Sequence, residues 1–135
     1  MTLPAKTAQK RRAIIVDDSR AMRAILRRSL EEHGFQVVEA SHGKEALERL
    51  SQIRIPQLAL VDWNMPEMNG IELVTALRRD HNYDRMAVVM VTSETEPAQV
   101  ERALHAGANE YIMKPFSNDV LNEKLLMLGL REELS

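Results

Sequence analysis

Five short apolar runs alternate along the chain with longer segments in which apolar residues recur every three or four positions. The runs cover residues 13–16, 36–38, 58–61, 86–91 and 111–113. Short apolar runs bounded by polar residues predict β-strands, and the helical spacing between them predicts an amphipathic helix after each strand. Such alternation is typical of a parallel sheet covered by helices on both faces. The pattern therefore predicts an α/β fold with five strands and five helices.

Residues that end or begin helices fall where this scheme needs them. Gly34 and Gly107 can each end a helix in the left-handed conformation. Pro97 can open a helix in its first turn, and Ser117 can cap the last helix. Four arginines, which we expect to form a solvated face, lie on the predicted first helix: Arg20, Arg23, Arg27 and Arg28.

Length and charge limit the class of protein. The 135 residues suffice for one domain, and we expect a tail over 1–11, a domain over 12–128 and a C-terminal end over 129–135. A net charge of −2 provides no basic field for binding nucleic acid or a membrane surface. There is no cysteine, no signal-peptide pattern and no apolar run near the ~20 residues that span a bilayer. These features predict a cytoplasmic protein that acts on other proteins.

Polar side chains follow or close four of the five apolar runs. These residues are Asp17 and Asp18, Asp62, Thr92, and Lys114. Because ligands of open α/β sheets bind outside the carboxyl ends of the strands, we expect the five to converge. Three adjacent carboxylates repel one another unless a cation neutralises them, and an all-oxygen ligand set favours Mg²⁺ or Mn²⁺.

The same group of residues is suited to phosphoryl transfer. A phosphoryl group in transfer needs a metal ion, a cationic side chain and a hydroxyl group around it, and Lys114 and Thr92 supply the last two. Aspartate can accept the group as an acyl phosphate, which makes Asp62 the candidate nucleophile. Taken singly, each of these residues has an ordinary structural explanation, such as a turn, a cap or a surface lysine. Only the combination predicts the chemistry.

Four segments resemble the signatures of a response-regulator receiver domain, and the resemblance extends from residue 12 to about residue 128. They are Val-Asp-Asp-Ser at 16–19, Val-Asp-Trp-Asn-Met-Pro at 61–66, Val-Thr-Ser at 91–93 and Met-Lys-Pro-Phe at 113–116. Residues 62–70 are especially similar to CheY-like single-domain regulators of chemotaxis. The resemblance implies a doubly wound, flavodoxin-like sheet with the strand order 2-1-3-4-5.

The resemblance also implies roles for the residues. Asp62 would be phosphorylated by a histidine kinase or a histidine phosphotransfer protein. Mg²⁺ would be held by Asp18, Asp62 and the backbone carbonyl of Asn64, with Asp17 acting through water. Lys114 would pair with the phosphoryl group, and the bond from Lys114 to Pro115 is expected to be cis.

A switch follows from the same resemblance. Thr92 would move towards the phosphoryl group and Tyr111 would turn inward, which would change the face formed by the fourth helix, the fifth strand and the fifth helix. A downstream target protein would bind that face. Asn64 and Glu94 match the residues of fast-decaying regulators and are expected to tune dephosphorylation. The protein would be a monomer, with dimerisation on phosphorylation left open.

Two alternatives remain. The chain could be the regulatory receiver part of a longer transcription factor or enzyme. An aspartate-nucleophile phosphatase of the haloacid dehalogenase type would need an acid two residues after the nucleophile, where the chain has Asn64. The chain also has no glycine-rich nucleotide loop. We therefore expect a phosphoacceptor that assists only its own phosphorylation and dephosphorylation, rather than an enzyme.

Overall fold

A computed structural model describes residues 11–93 and 97–130, and in these ranges five strands alternate with five α-helices. The strands are β1 (Arg11–Val16), β2 (Phe35–Ala40), β3 (Leu58–Asp62), β4 (Ala87–Thr92) and β5 (Glu110–Met113). The helices are α1 (Arg20–Glu32), α2 (Gly43–Leu50), α3 (Gly70–Arg79), α4 (Pro97–Ala106) and α5 (Asn118–Met127). A 3₁₀ helix, His81–Tyr83, lies between α3 and β4. The predicted alternation is confirmed, while Glu94 lies outside the described residues.

The five strands form one parallel sheet in the order β2-β1-β3-β4-β5, which confirms the predicted topology. In the register, Val16 lies opposite Val61, and Asp62 lies opposite Val91. Because all strands run in one direction, their carboxyl ends share one edge of the sheet. The strand order reverses between β1 and β3, and this is where α/β sheets bind ligands.

Side chains of alternate residues along each strand enter two separate cores. On β1, Ile14 and Val16 belong to the core that α2, α3 and α4 cover, and Ala13 and Ile15 belong to the core beneath α1 and α5. This alternation is the period of two expected of a strand. Burial on both faces explains why β1, β3 and β4 appear in the sequence as continuous apolar runs.

Several element ends differ from the apolar runs. β1 begins at Arg11 and β2 spans Phe35–Ala40, so both strands are longer than predicted, because Arg11 still pairs with Phe35 beyond the apolar residues. The helix signals agree with the prediction: Gly34 and Gly107 have φ values of 89° and 118°. Ser117 caps α5 by accepting a hydrogen bond from the Val120 amide. None of the described helices has the length and apolar character needed to span a membrane.

Candidate functional site

Three carboxylates meet at the point where the strand order reverses. Asp17 and Asp18 follow β1, and Asp62 is the last residue of the neighbouring strand β3. The three residues each offer a carboxylate oxygen within 4.8 Å of the others. Asp17 and Asp62 are buried, whereas Asp18 is exposed. We call these residues the acidic trio, and their oxygen atoms suit a hard divalent cation such as Mg²⁺.

Lys114 follows β5, the last strand in the order of the sheet, and its side chain places a positive charge beside the acidic trio. Its Nζ donates hydrogen bonds to Asp62 Oδ1 at 3.0 Å and to Asp17 Oδ2 at 3.1 Å. The backbone is held as well, since the Lys114 amide donates to the Thr92 carbonyl at 2.8 Å. The bond from Lys114 to Pro115 is cis, as the resemblance implies. The lysine therefore contacts two buried carboxylates directly.

Burial and neighbouring charges change the pKa values of Asp62 and Lys114. Burial raises the pKa of Asp62, and the charges of Asp17 and Asp18 act in the same direction, while the hydrogen bond from Lys114 opposes them. Burial by itself would lower the pKa of Lys114, but Asp62 and Asp17 outweigh it and the pKa is raised. The lysine thus stays charged, and the Asp62 carboxylate is costly to ionise without a further cation.

The turn after β1 holds Asp17 at several atoms. The Asp17 amide donates to the Ala40 carbonyl at 3.1 Å, and Asp17 Oδ1 accepts from the Ser19 amide at 2.8 Å. The Asp17 carbonyl accepts from Arg23 Nη1 at 2.7 Å. Ser19 in turn caps α1 by accepting a hydrogen bond from the Met22 amide. The start of α1 therefore depends on the same turn that carries two of the acids.

The prediction that the arginines of α1 form a solvated face is wrong for Arg23, whereas the Arg27 side chain remains 37% exposed. Arg23 is only 16% exposed and its Nε donates to Glu39 Oε1 at 3.0 Å, while Arg27 pairs with the other oxygen of that carboxylate. Arg20 and Arg28 are exposed, as expected. The sequence signal that was missed is Glu39, an acid inside the otherwise apolar end of β2, because a half-buried carboxylate needs a partner.

The loop after β3 is anchored next to Asp62. The Trp63 amide donates to the Val91 carbonyl at 3.1 Å, and the Gly70 amide donates to the Trp63 carbonyl at 3.0 Å. A Cβ atom on Gly70 would lie 2.5 Å from the backbone oxygen of Asp62, so only glycine fits there without movement. Sequence reasoning did not single out Gly70. Asn64 is exposed in this loop, two residues after Asp62.

The predicted switch residues occupy β4 and β5. Thr92 is buried and is the last residue of β4, at the same edge as the acidic trio. Tyr111 is half-buried, packs against the core beneath α4 and lies opposite Met90. Its ring centroid is 5.1 Å from Lys124 Nζ, which also pairs with Glu110 at 3.0 Å.

The acidic trio and the Lys114 Nζ therefore lie together at the switch point of an open parallel α/β sheet, the position where this class of fold binds its ligands. Residues 13–126 match the family model described as the response regulator receiver domain. The chain therefore belongs to the response regulator receiver family.

Individual relatives place the chain within that family. It is 44% identical over 121 residues to the chemotaxis protein CheY1 of Helicobacter pylori strain J99, covering 88% of this chain and 98% of that protein. The solved structure of Vibrio cholerae CheY4 has a TM-score of 0.83 and 31% identity, covering 89% of this chain and 99% of that one. A probable two-component response regulator/GGDEF domain protein has a TM-score of 0.81 and 34% identity, covering 87% of this chain and 48% of that one. The chain is a CheY-like receiver of the chemotaxis and two-component signalling class.

Proposed function

We propose that this chain is a phosphorylation-dependent switch of a chemotaxis-type relay, in which Asp62 accepts a phosphoryl group from a phosphohistidine. The donor is a histidine kinase or a histidine phosphotransfer protein in the cytoplasm. The observation that carries the proposal is the position of Lys114 Nζ, 3.0 Å from Asp62 and 3.1 Å from Asp17, beside the acidic trio. A cation beside clustered acids at a ligand-binding sheet edge is the arrangement that phosphoryl transfer requires.

In the transfer, an Asp62 carboxylate oxygen attacks the phosphorus atom while the bond from phosphorus to the donor imidazole breaks. The electron pair of that bond returns to the imidazole nitrogen, which then takes up a proton. The residues that would hold Mg²⁺ or Mn²⁺ are Asp18, Asp62 and the carbonyl of Asn64, with Asp17 acting through water. The ion, when bound, neutralises charge on the phosphoryl oxygens. Lys114 and the Thr92 hydroxyl group supply the remaining donors to those oxygens.

The switch follows from the charge that phosphorylation adds, about −1.5 to −2 at neutral pH, with three strong acceptor oxygens. Lys114 and Thr92 are drawn towards the new group, and Tyr111 follows Thr92. The result is a shift between two existing conformations, limited by how much more favourably the phosphoryl group interacts with one of them.

The output face is formed by α4, β5 and α5. Four large apolar side chains are exposed on these elements and are available to a partner protein: Leu104, Met113, Val120 and Met127. A downstream target protein binds here when Asp62 is phosphorylated. The unphosphorylated protein is a monomer, and light scattering of the phosphorylated form tests whether it dimerises through the same face.

The lifetime of the phosphoryl group is set by residues that flank the path of an attacking water molecule. Asn64, which is exposed, and Glu94 are the two candidates. We propose that purified phosphoprotein with Mg²⁺ loses its phosphate within seconds to minutes. A half-life of hours would contradict this part of the proposal.

The experiment that tests the function uses Trp63, the only tryptophan in the chain and the neighbour of Asp62. Its fluorescence is followed as Mg²⁺ and then acetyl phosphate or beryllofluoride are added, with Asp62→Asn as the control. We expect two Mg²⁺-dependent changes in the natural protein and loss of the second in the variant. Intact-mass measurement should show one added phosphate only where Asp62 is present. Absence of phosphate on the natural protein would overturn the proposal.

One structural neighbour favours a second assignment. The chain covers only 48% of the response regulator/GGDEF domain protein, so the same fold also serves as the regulatory part of longer proteins. The chain would then perform the same phosphoacceptor chemistry but act on an attached output domain. The boundaries of the native gene distinguish these two assignments. The phosphatase alternative is not favoured, because Asn64 occupies the position that its second acid requires.

A further inference from the structure

Arg23 connects the acidic trio to an outer strand of the sheet. Its Nη1 donates to the Asp17 carbonyl at 2.7 Å, and its Nε donates to Glu39 Oε1 at 3.0 Å. Glu39 belongs to β2, which lies at one end of the strand order. The side chains of Arg23 and Glu39 are 16% and 29% exposed, so the pair is largely protected from solvent. Glu39 therefore holds the guanidinium group through Nε, while Nη1 of the same group binds the turn after β1.

The carbonyl that Arg23 binds belongs to the peptide group between Asp17 and Asp18. A hydrogen bond to this oxygen sets the plane of that peptide, and hence the direction in which the next residue leaves the turn. The Asp17 carboxylate is held independently, by Lys114 Nζ at 3.1 Å and the Ser19 amide at 2.8 Å. The contact from Arg23 thus adds a constraint on Asp18, the exposed member of the acidic trio.

We infer that Arg23 is a positioning residue for the divalent cation, because it orients the Asp17–Asp18 peptide so that the Asp18 carboxylate faces the other two acids. Glu39 serves by fixing the guanidinium group. The inference rests on the metal site of the proposed function. Hydrogen-bonded partners outside the ligands of metal sites commonly act in this way, and their loss typically weakens metal binding by about 10-fold to 100-fold.

Charge alone predicts the opposite effect, which makes the inference testable. Arg23 is a cation near a cation-binding site, so its removal would strengthen metal binding if it acted only through its charge. Loss of its positioning contact would weaken metal binding instead. The sign of the change therefore separates the two effects.

Arg27 provides a matched control. It lies one turn further along α1 and pairs with the same Glu39 carboxylate, through Oε2. Its described partners are Glu39 and Glu31, neither of which belongs to the acidic trio. Arg27→Gln therefore removes a positive charge and a Glu39 ion pair, as Arg23→Gln does, but leaves the Asp17 carbonyl bonded. Arg23→Lys keeps the charge while losing the fork that can bind both partners.

The experiment measures the dissociation constant of Mn²⁺ from the signal of the free ion in electron paramagnetic resonance, and that of Mg²⁺ from Trp63 fluorescence. We expect Arg23→Gln and Arg23→Lys to raise both dissociation constants about 10-fold or more. Arg27→Gln should change them by less than about twofold. Urea unfolding in EDTA verifies that all three variants remain folded at the temperature used. The readout does not depend on phosphorylation.

The outcomes separate this inference from the proposed function. If the natural protein binds neither ion, the proposed metal site fails. If it binds both ions and Arg23→Gln binds them as tightly or more tightly, only the positioning role is overturned. Equal weakening by Arg23→Gln and Arg27→Gln would also overturn it, because the shared Glu39 pair would then explain the effect.

Discussion

Lys114 Nζ lies 3.0 Å from Asp62 Oδ1, although the two residues are 52 positions apart in the chain. The lysine side chain is 19% exposed and the Asp62 side chain 9%, so the contact is mostly shielded from water. Removing Lys114 leaves the buried carboxylates of Asp62 and Asp17 without this compensating charge, and this is strongly destabilising, whereas removing Asp62 leaves Lys114 paired with Asp17. Lys114 therefore has a structural role in the metal-free protein as well as its proposed role in transfer.

Lys114→Met, which removes the charge and keeps the length of the side chain, should lower the free energy of unfolding by roughly 2–3 kcal/mol in EDTA. Added Mg²⁺ should restore much of that loss, because a second cation then neutralises the acidic trio. Urea unfolding with and without Mg²⁺ measures both effects. Equal stability of the variant and the natural protein in EDTA would show that the ion pair contributes little.

The raised pKa of Asp62 predicts a dependence of stability on pH. An acid whose folded pKa lies above its unfolded value, here 3.8, binds more protons in the folded state, so stability falls as pH rises from 3.8 through the folded pKa. The ionised carboxylate is thus a source of instability at neutral pH, owing mainly to its burial. In EDTA at pH 7, Asp62→Asn should be more stable than the natural protein.

That difference should shrink as pH falls from the raised pKa towards 3.8, because Asp62 is then protonated in the folded state and taking up that proton costs less at each lower pH; below 3.8 the residue is neutral in both states. Thermal unfolding at a series of pH values in EDTA checks the prediction. Mg²⁺ should stabilise the natural protein more than the variant, because the variant lacks one proposed ligand. A lower stability of Asp62→Asn at pH 7 would contradict the assigned cost of burial.

Gly70 allows the chain to turn back against the end of β3. A Cβ there would meet the Asp62 carbonyl at 2.5 Å and the Met90 methyl at 2.6 Å, and the carbonyl is part of a strand that cannot readily move. Gly70→Ala should therefore lower the free energy of unfolding by about 2 kcal/mol, as overpacking does.

Gly43 is a suitable control, because it too is the first residue of its helix. The three atoms nearest to a Cβ at Gly43 would all belong to the side chain of Met68, and the two closest, Sδ at 2.6 Å and Cγ at 2.9 Å, can move by rotation of that side chain. Gly43→Ala should change stability by less than about 1 kcal/mol, since methionine adapts to irregular space. Urea unfolding compares the two variants. Similar losses in both would show that the backbone at Asp62 is not the limiting contact.

Arg78 joins α3 to the segments that precede β4 and β5, at the edge of the sheet opposite the acidic trio. Its guanidinium group donates at 2.7 to 2.9 Å to the carbonyls of Gly107, Tyr83 and Met86 and to Asn109 Oδ1. All four acceptors would lose the Arg78 donor in Arg78→Met, although the Tyr83 carbonyl would still accept from the Met86 amide and Asn109 Oδ1 from the Val88 amide. We expect a loss of about 3 kcal/mol in the free energy of unfolding.

Arg79→Met tests whether this loss comes from the hydrogen bonds of Arg78. Arg79 is the adjacent residue in the last turn of α3 and is exposed, so its replacement should change stability by about 0.5 kcal/mol or less. Chemical denaturation of both variants gives the comparison. A small effect of Arg78→Met would mean that water replaces the lost donors.

Most of the fold follows from local patterns. The apolar runs and the helical spacing predicted each strand and helix, and Gly34, Gly107 and Ser117 marked helix ends correctly. The exact strand ends were less accurate, since the outer strand β2 is longer than its apolar run. Hydrogen bonding between strands continues past the apolar residues, and this pairing is not visible in one segment alone.

The candidate site likewise contains some residues that could be identified from sequence and others that could not. Asp17, Asp62 and Lys114 could be identified from sequence because each follows or ends a strand-like run, and parallel strands end at one edge. Arg23 and Gly70 could not, because their importance depends on contacts with Glu39, the Asp17 carbonyl and the Asp62 carbonyl.

The sequence by itself therefore determined which elements form and which strand ends carry polar groups. The tertiary structure decided which arginine of α1 reaches the Asp17 carbonyl and which glycine must have no side chain. The physical reason is that periodicity reports the local environment of each residue, whereas hydrogen bonds and close contacts between distant segments depend on positions set only by packing.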